Sequence, residues 1–275
     1  MRLPDAGAVA VVGAGTMGSM VAVAFARAGW NVRLVDVDLE PLQAGMEALR
    51  HSLQALLSAG SLSPGGASDA EQRVRPLTAL PPACEGVDLL VECVPEDLAL
   101  KQRLFRQFDE LCPPQAILAS NTSGLSITQI ASVTERPDLV AGLHFWNPAH
   151  IMPLVEVVMG ERTSDATATG LLELCRRLGK RPVLVRRDVP GFIGNRLQFA
   201  VLREALHLLS EGVASAQDID AAMTAGPGLR YGLTGPLRTA DLGGLDVFEA
   251  ICRYLLPELS NEPEPPVLLT GLVRG

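Results

Sequence analysis

The sequence predicts an α/β fold, a doubly wound parallel sheet followed by a small all-α C-terminal domain. Three observations carry this. A short apolar run, Val9–Val12, stops at a glycine turn, Gly13-Ala14-Gly15-Thr16-Met17-Gly18, that opens an apolar helical stretch. Strand-like apolar runs then alternate with helical patterns as far as Val185, which is the signature of parallel β-α-β units. Beyond Val189 the strand pattern ceases and only helical periodicity remains.

The elements follow in order. Val9–Val12 reads as a buried parallel strand and Met17–Ala28 as a helix stopped by Gly29. Asn31–Val37 alternates into a second strand ending near Asp36. Leu39–Ala59 is a long helical pattern broken by a Gly/Ser/Pro-rich loop at Gly60–Ser68, with a second helical piece expected around Asp69–Arg75. Val87–Val94, Ala116–Ala119, Leu139–Phe145, Leu154–Met159 and Pro182–Val185 read as further strands, all expected parallel. Between them Leu98–Leu111 and Thr163–Leu178 read as helices. The domains are expected at 1–187 and 188–275, with helices at Phe192–Ser210, Ala216–Thr224 and Pro236–Leu256, the last interrupted at Gly243-Gly244.

Composition narrows the function. The 275 residues carry a net charge of −8 and 48% hydrophobic residues, enough for a sizeable core. An acidic chain lacks the basic footprint that non-specific nucleic-acid binding needs. The five cysteines show no C-x-x-C pair and no metal spacing with His, so they read as reduced thiols in a cytoplasmic protein. No run is long enough to span a membrane.

The glycine fingerprint follows a strand and opens a helix, the context the motif requires, and the turn is of the Rossmann dinucleotide-binding type. Gly13 permits the tight turn, Gly15 lets the backbone approach a pyrophosphate, and Gly18 lets helix and strand pack closely. Thr16 and Met17 open the helix, whose amides and dipole face the phosphates. Asp36, at the end of the second strand, can accept the adenosine ribose hydroxyls and would repel a 2′-phosphate, which predicts NAD rather than NADP.

Four polar residues downstream are candidates for chemistry: Ser123, His144, Glu156 and Asn195. Glu156 stands in the middle of the apolar run Leu154–Val158, where an unpaired carboxylate is costly. His144 stands at the end of another strand. The two explain each other if Glu156 holds one ring nitrogen of a His144 that acts as a proton-transfer base. The bland alternatives are that His144 is a satisfied core residue, Ser123 a turn residue and Asn195 a helix-start residue.

At this point the chain resembles the L-3-hydroxyacyl-CoA dehydrogenase family. The matching stretches are Val-Gly-Ala-Gly-Thr-Met-Gly (12–18), Val-Glu-Cys-Val-Pro-Glu-Asp (91–97), Ser-Asn-Thr-Ser-Gly-Leu (120–125), Gly-Leu-His-Phe-Trp-Asn-Pro (142–148), Pro-Leu-Val-Glu-Val-Val (153–158) and Pro-Gly-Phe-Ile-Gly-Asn-Arg (190–196). The resemblance implies NAD-dependent oxidation of an L-3-hydroxyacyl-CoA to the 3-ketoacyl-CoA. His144 would be the general base, Glu156 its orienting carboxylate, and Ser123 and Asn195 contacts to the substrate oxygen. Asn147 would meet the nicotinamide end of the cofactor, and Glu96 and Lys101 would line the cofactor cleft. It also implies a homodimer through the helical domain, whose many apolar positions exceed what so small a domain buries alone.

Some features depart from the acyl-CoA pattern. Leu39–Gly86 contains no Lys, and Arg50, Arg73 and Arg75 are its only positive residues. The stretch Gly228–Leu237 is more similar to relatives that oxidise small hydroxy acids, among them the L-gulonate dehydrogenase/lambda-crystallin group and a pyridine-carboxylate alcohol dehydrogenase. Arg230 there reads either as a contact to a free substrate carboxylate or as an ordinary surface Arg. The chain stops at Gly275, where relatives continue through a Gly-rich segment, so an incomplete C-terminal edge is open. Two alternatives stand beside the acyl-CoA reading: a dehydrogenase of a small CoA-free hydroxy acid or alcohol, and a structural NAD-binding protein that kept the fold. The 6-phosphogluconate-type dehydrogenases share the G-x-G-x-M-G start but use an interdomain-helix Lys, which Gly194–Gln198 lacks.

Overall fold

The computed structural model describes residues 3–266 and 269–271; the chain end at Gly275 lies outside them. The chain divides into two compact units, Met1–Ile193 and Gly194–Gly275.

The first unit is built on strands β1 (Ala8–Val12), β2 (Asn31–Val35), β3 (Val74–Leu77), β4 (Leu89–Glu92), β5 (Ile117–Ser120), β6 (Val140–Phe145), β7 (Leu154–Met159) and β8 (Arg181–Val185). They form one sheet in the order β3-β2-β1-β4-β5-β6-β7-β8. The order reverses between β1 and β4, and the carboxyl ends of those two strands flank a switch-point crevice. The helices are α1 (Thr16–Ala26), α2 (Leu39–Ser58), α3 (Pro64–Gln72), α4 (Leu80–Cys84), α5 (Leu98–Leu111), α6 (Ile127–Ala131) and α7 (Asp165–Arg177). Two apolar clusters cover the faces of the sheet. One centres on Val9, Val11, Phe25, Trp30 and Leu143, the other on Ala10, Leu90, Phe105, Phe108 and Phe192. Strands buried on both faces explain the continuous apolar runs of β1, β4 and β5.

Two expectations are corrected. The helical piece expected around Asp69–Arg75 begins earlier, as α3, because Ser63 caps it through Gly66 N and Pro64 fits its first turn. Val74–Leu77 is then free to pair with β2 as an edge strand, where Pro76 is tolerated. The sheet is also not wholly parallel. β7 runs antiparallel to β6, and β8 parallel to β7. The connection 146–153 is too short for a helical crossover, so the chain must turn back on itself.

The second unit is helical: α8 (Gly194–Ser210), α9 (Ala216–Ala225, capped by Ser215), α10 (Pro227–Tyr231), α11 (Gly235–Gly243) and α12 (Leu245–Leu255).

Candidate active site

The glycine turn carries the geometry that its sequence requires. Gly13 has φ +100°, and a Cβ there would lie 2.7 Å from Cys93 O. A Cβ on Gly18 would lie 1.7 Å from Gly13 O, so helix and strand approach as closely as only glycine permits. A Cβ on Gly15 would meet nothing within 4 Å, because this glycine faces open space. Gly15 is also the N-cap of α1 and has no side chain to occupy its first-turn amides. A cavity of about 630 Å³ opens there, lined by Gly13, Gly15, Thr16, Met17 and Asp36 together with apolar side chains such as Leu100. An anion-binding helix end beside an apolar cleft fits a dinucleotide. Asp36 Oδ2 accepts Ala14 N (2.8 Å) and Oδ1 accepts Val37 N (2.8 Å). Each oxygen keeps a further lone pair for a ribose hydroxyl.

The antiparallel β6–β7 pairing sets His144 directly opposite Glu156. Directly opposed residues project to the same face within side-chain reach, and Nδ1 of His144 lies 2.8 Å from Glu156 Oε2. Both side chains are buried, Glu156 completely. Glu156 is held by two more donors that the sequence did not reveal. Trp146 Nε1 donates to Oε2 (3.1 Å) and Ile193 N to Oε1 (3.0 Å). With Nδ1 engaged, Nε2 is the ring nitrogen left for a substrate.

Ser123 is exposed on the loop after β5. Its N–H donates to Glu96 Oε1 (2.9 Å), which also accepts Thr122 Oγ1 (2.6 Å). Glu96 is therefore a brace under the Ser123 loop. Lys101 is 1% exposed; its Nζ donates to Glu92 Oε1 (2.7 Å) and Val94 O (3.1 Å) and lies 3.5 Å from Glu96 Oε2. Its ammonium is committed beneath the cleft floor, and neither Lys101 nor Glu96 lines the 630 Å³ cavity. Glu92 also accepts Ser120 Oγ (2.6 Å), and burial raises its pKa while Lys101 opposes the shift. Asn147 is exposed on the loop after β6. Asn195 belongs to the second unit, in the first turn of α8, and Arg230 is exposed on α10. Among the described residues, no cluster of His, Cys, Asp and Glu is suited to a metal.

Two family models cover this chain, the NAD binding domain of 3-hydroxyacyl-CoA dehydrogenase over residues 8–189 and its C-terminal domain over 191–274. The chain belongs to the 3-hydroxyacyl-CoA dehydrogenase family. It is 38% identical over 253 residues to 3-hydroxybutyryl-CoA dehydrogenase of Clostridioides difficile, covering 92% of this chain and 88% of that protein. It is 35% identical over 256 residues to 5-formyl-3-hydroxy-2-methylpyridine 4-carboxylate 5-dehydrogenase of Mesorhizobium japonicum, covering 93% and 82%. A solved structure of an enzyme of the latter name, described as an NAD+-dependent dismutase, matches with a TM-score of 0.88 at 33% identity, covering 97% of this chain and 85% of that one. This family member is an NAD-dependent oxidoreductase with a Rossmann-type first unit and a helical second unit.

Proposed function

We propose that this dehydrogenase oxidises an L-3-hydroxyacyl-CoA to the 3-ketoacyl-CoA, with His144 as general base. The single observation that carries the reading is the buried His144–Glu156 pair, with His144 near the carboxyl end of β6, on the same edge of the sheet as the glycine turn that follows β1. Nε2 of His144 takes the proton of the 3-hydroxyl, and Glu156 orients the ring and stabilises its charged form. Bound in the cleft, NAD+ supplies the hydride acceptor. Ser123, on the loop braced by Glu96, hydrogen-bonds the substrate oxygen, and Asn195, in the first turn of α8, is a substrate contact by its match to the family motif. Asn147 contacts the nicotinamide end of the cofactor. Relatives named for CoA-ester substrates support the substrate class.

One observation favours a second reading, a small CoA-free hydroxy acid or alcohol. Arg50, one of the few cations between residues 39 and 86, is engaged by Glu71 at 2.7 Å, which leaves less positive charge for a CoA phosphate. The pyridine-carboxylate relative fits this branch, in which Arg230 would hold the substrate carboxylate. NADH oxidation with acetoacetyl-CoA, run beside NAD+ reduction with a panel of free hydroxy acids, separates the two. Saturable activity with acetoacetyl-CoA supports the first. Turnover confined to a free hydroxy acid supports the second. Tight NAD binding with no turnover on any of them would instead favour a structural NAD-binding protein.

The assembly we propose is a homodimer through the second unit. Leu233 and Leu237 there are more than four-fifths exposed and Phe199 more than half. A monomer by light scattering at micromolar concentration overturns it. No helix among the described residues is long and apolar enough to cross a membrane, and a cytoplasmic location is proposed from the unpaired cysteines.

A further inference from the structure

The last residues of the first unit make a tight turn in which Phe192 N donates to Val189 O (2.9 Å). Phe192 has φ +50°, a left-handed conformation that an aromatic residue seldom adopts and that surrounding structure must impose. Its ring is 1% exposed and lies edge-on to His144, centroids 5.8 Å apart and planes at 62°. The next residue, Ile193, is the one whose N–H reaches Glu156 Oε1. Just upstream, Asp188 Oδ2 accepts Ser126 Oγ (2.7 Å) and Thr128 N (2.8 Å), at the start of α6. Gly191 packs so closely on the neighbour of Ser123 that a Cβ on Gly124 would lie 3.2 Å from Gly191 N. One six-residue segment thus touches the Ser123 loop, the helix after it, the imidazole and the carboxylate.

We propose that Asp188–Ile193 is a strap that positions the proton-transfer pair, with Phe192 as its positioning residue. A carboxylate plane rotates easily about its last torsion. The His144 and Trp146 bonds hold Oε2, and the Ile193 amide from the strap holds Oε1, so the strap fixes the second oxygen of the plane. The Phe192 edge fixes the tilt of the imidazole, and the Asp188 and Gly191 contacts tie both to the Ser123 loop. This rests on the reading of His144 as general base.

Phe192→Leu keeps a buried apolar side chain and removes the ring. With NAD+ and (S)-3-hydroxybutyryl-CoA, or the free hydroxy acid from the panel that turns over, kcat should fall about tenfold while KM for NAD+ stays within about twofold. Asp188→Asn, which loosens the strap away from the ring, should lower kcat in the same direction, and it carries the test if Phe192→Leu does not fold. Wild-type kcat per folded molecule in the folded variants, or a loss confined to KM, would make the segment ordinary core and overturn the proposal. His144→Gln is measured beside them. Retained turnover there removes the base reading itself, whereas a dead His144→Gln with normal strap variants removes only the strap.

Discussion

Lys101 and Glu92 meet at 2.7 Å beneath the cofactor cleft, with no more than 1% of either side chain exposed. A pair this deep does not hold the fold together by attraction alone, since desolvating both charges offsets most of the gain. Its consequence is asymmetric. Lys101→Met leaves the buried Glu92 carboxylate without its counter-charge, though still accepting from Ser120 Oγ and Val94 N, and should destabilise the first unit by about 3–5 kcal/mol. Adding Glu92→Gln to that variant should recover much of the loss, because the amide removes the buried charge and its single oxygen keeps one of the Ser120 and Val94 bonds. Urea denaturation of the two single variants and the double closes the cycle. Additive losses would mean that the two residues are not energetically coupled.

The glycine turn gives a sharper contrast. Gly18→Ala drives a methyl to within 1.7 Å of a backbone carbonyl and cannot relax without parting α1 from β1. Gly15→Ala meets nothing in the protein, so the fold should tolerate it and only NAD affinity should fall, since the space it fills is where a pyrophosphate would lie. Calorimetric stability together with NADH fluorescence titration separates the two. Equal stability losses would show that Gly15 is needed for the fold.

Asp36→Ala should narrow the preference for NAD over NADP, measured as the ratio of their kcat/KM values. An unchanged ratio would remove Asp36 from cofactor choice. The variant should also cost some stability, because the carboxylate caps the Ala14 and Val37 amides.

Two glutamates show how far the sequence could be read. Glu156 in Leu-Val-Glu-Val-Val is conspicuous, and a His on a neighbouring strand supplies its partner. Glu92, in Leu-Leu-Val-Glu-Cys-Val, carries the same signal of an ionisable residue in an apolar strand. Its partner is a lysine nine residues on, inside the helical stretch Leu98–Leu111, so the pair is not visible without the chain's path. The antiparallel turn between β6 and β7 was missed for a related reason. Apolar runs announce buried strands but not their direction, and only the shortness of 146–153 betrays it. Trp146 and Phe192 lie within stretches that mark the family, yet neither carries an ionisable group that periodicity would single out.

The donors on Glu156 allow a graded test. Trp146→Phe removes one neutral N–H from Oε2 and leaves the His144 and Ile193 bonds in place. It should lower kcat about threefold to tenfold, well short of the about 10²–10⁴-fold loss expected for His144→Gln. NAD+ affinity should be unchanged in both. A Trp146→Phe loss as large as that of His144→Gln would mean that the indole itself acts on the substrate.

Lys180 offers a pH test remote from catalysis. Its Nζ donates to Ala149 O (2.6 Å) and Met152 O (2.8 Å), pinning the loop that follows Asn147. Burial, with the Arg27 charge nearby, lowers its pKa from 10.5 to about 8. Between those values the unfolded chain keeps the proton that the folded chain has released, so stability rises with pH across that window. Below it both states are charged and the full burial penalty applies. The neutral amine still has two N–H groups for the two carbonyls. The free energy of unfolding of the wild type, minus that of Lys180→Met, should therefore increase from about pH 8 to about pH 10. A flat difference across that range would mean that the ammonium is solvated and that the loop is held by other means.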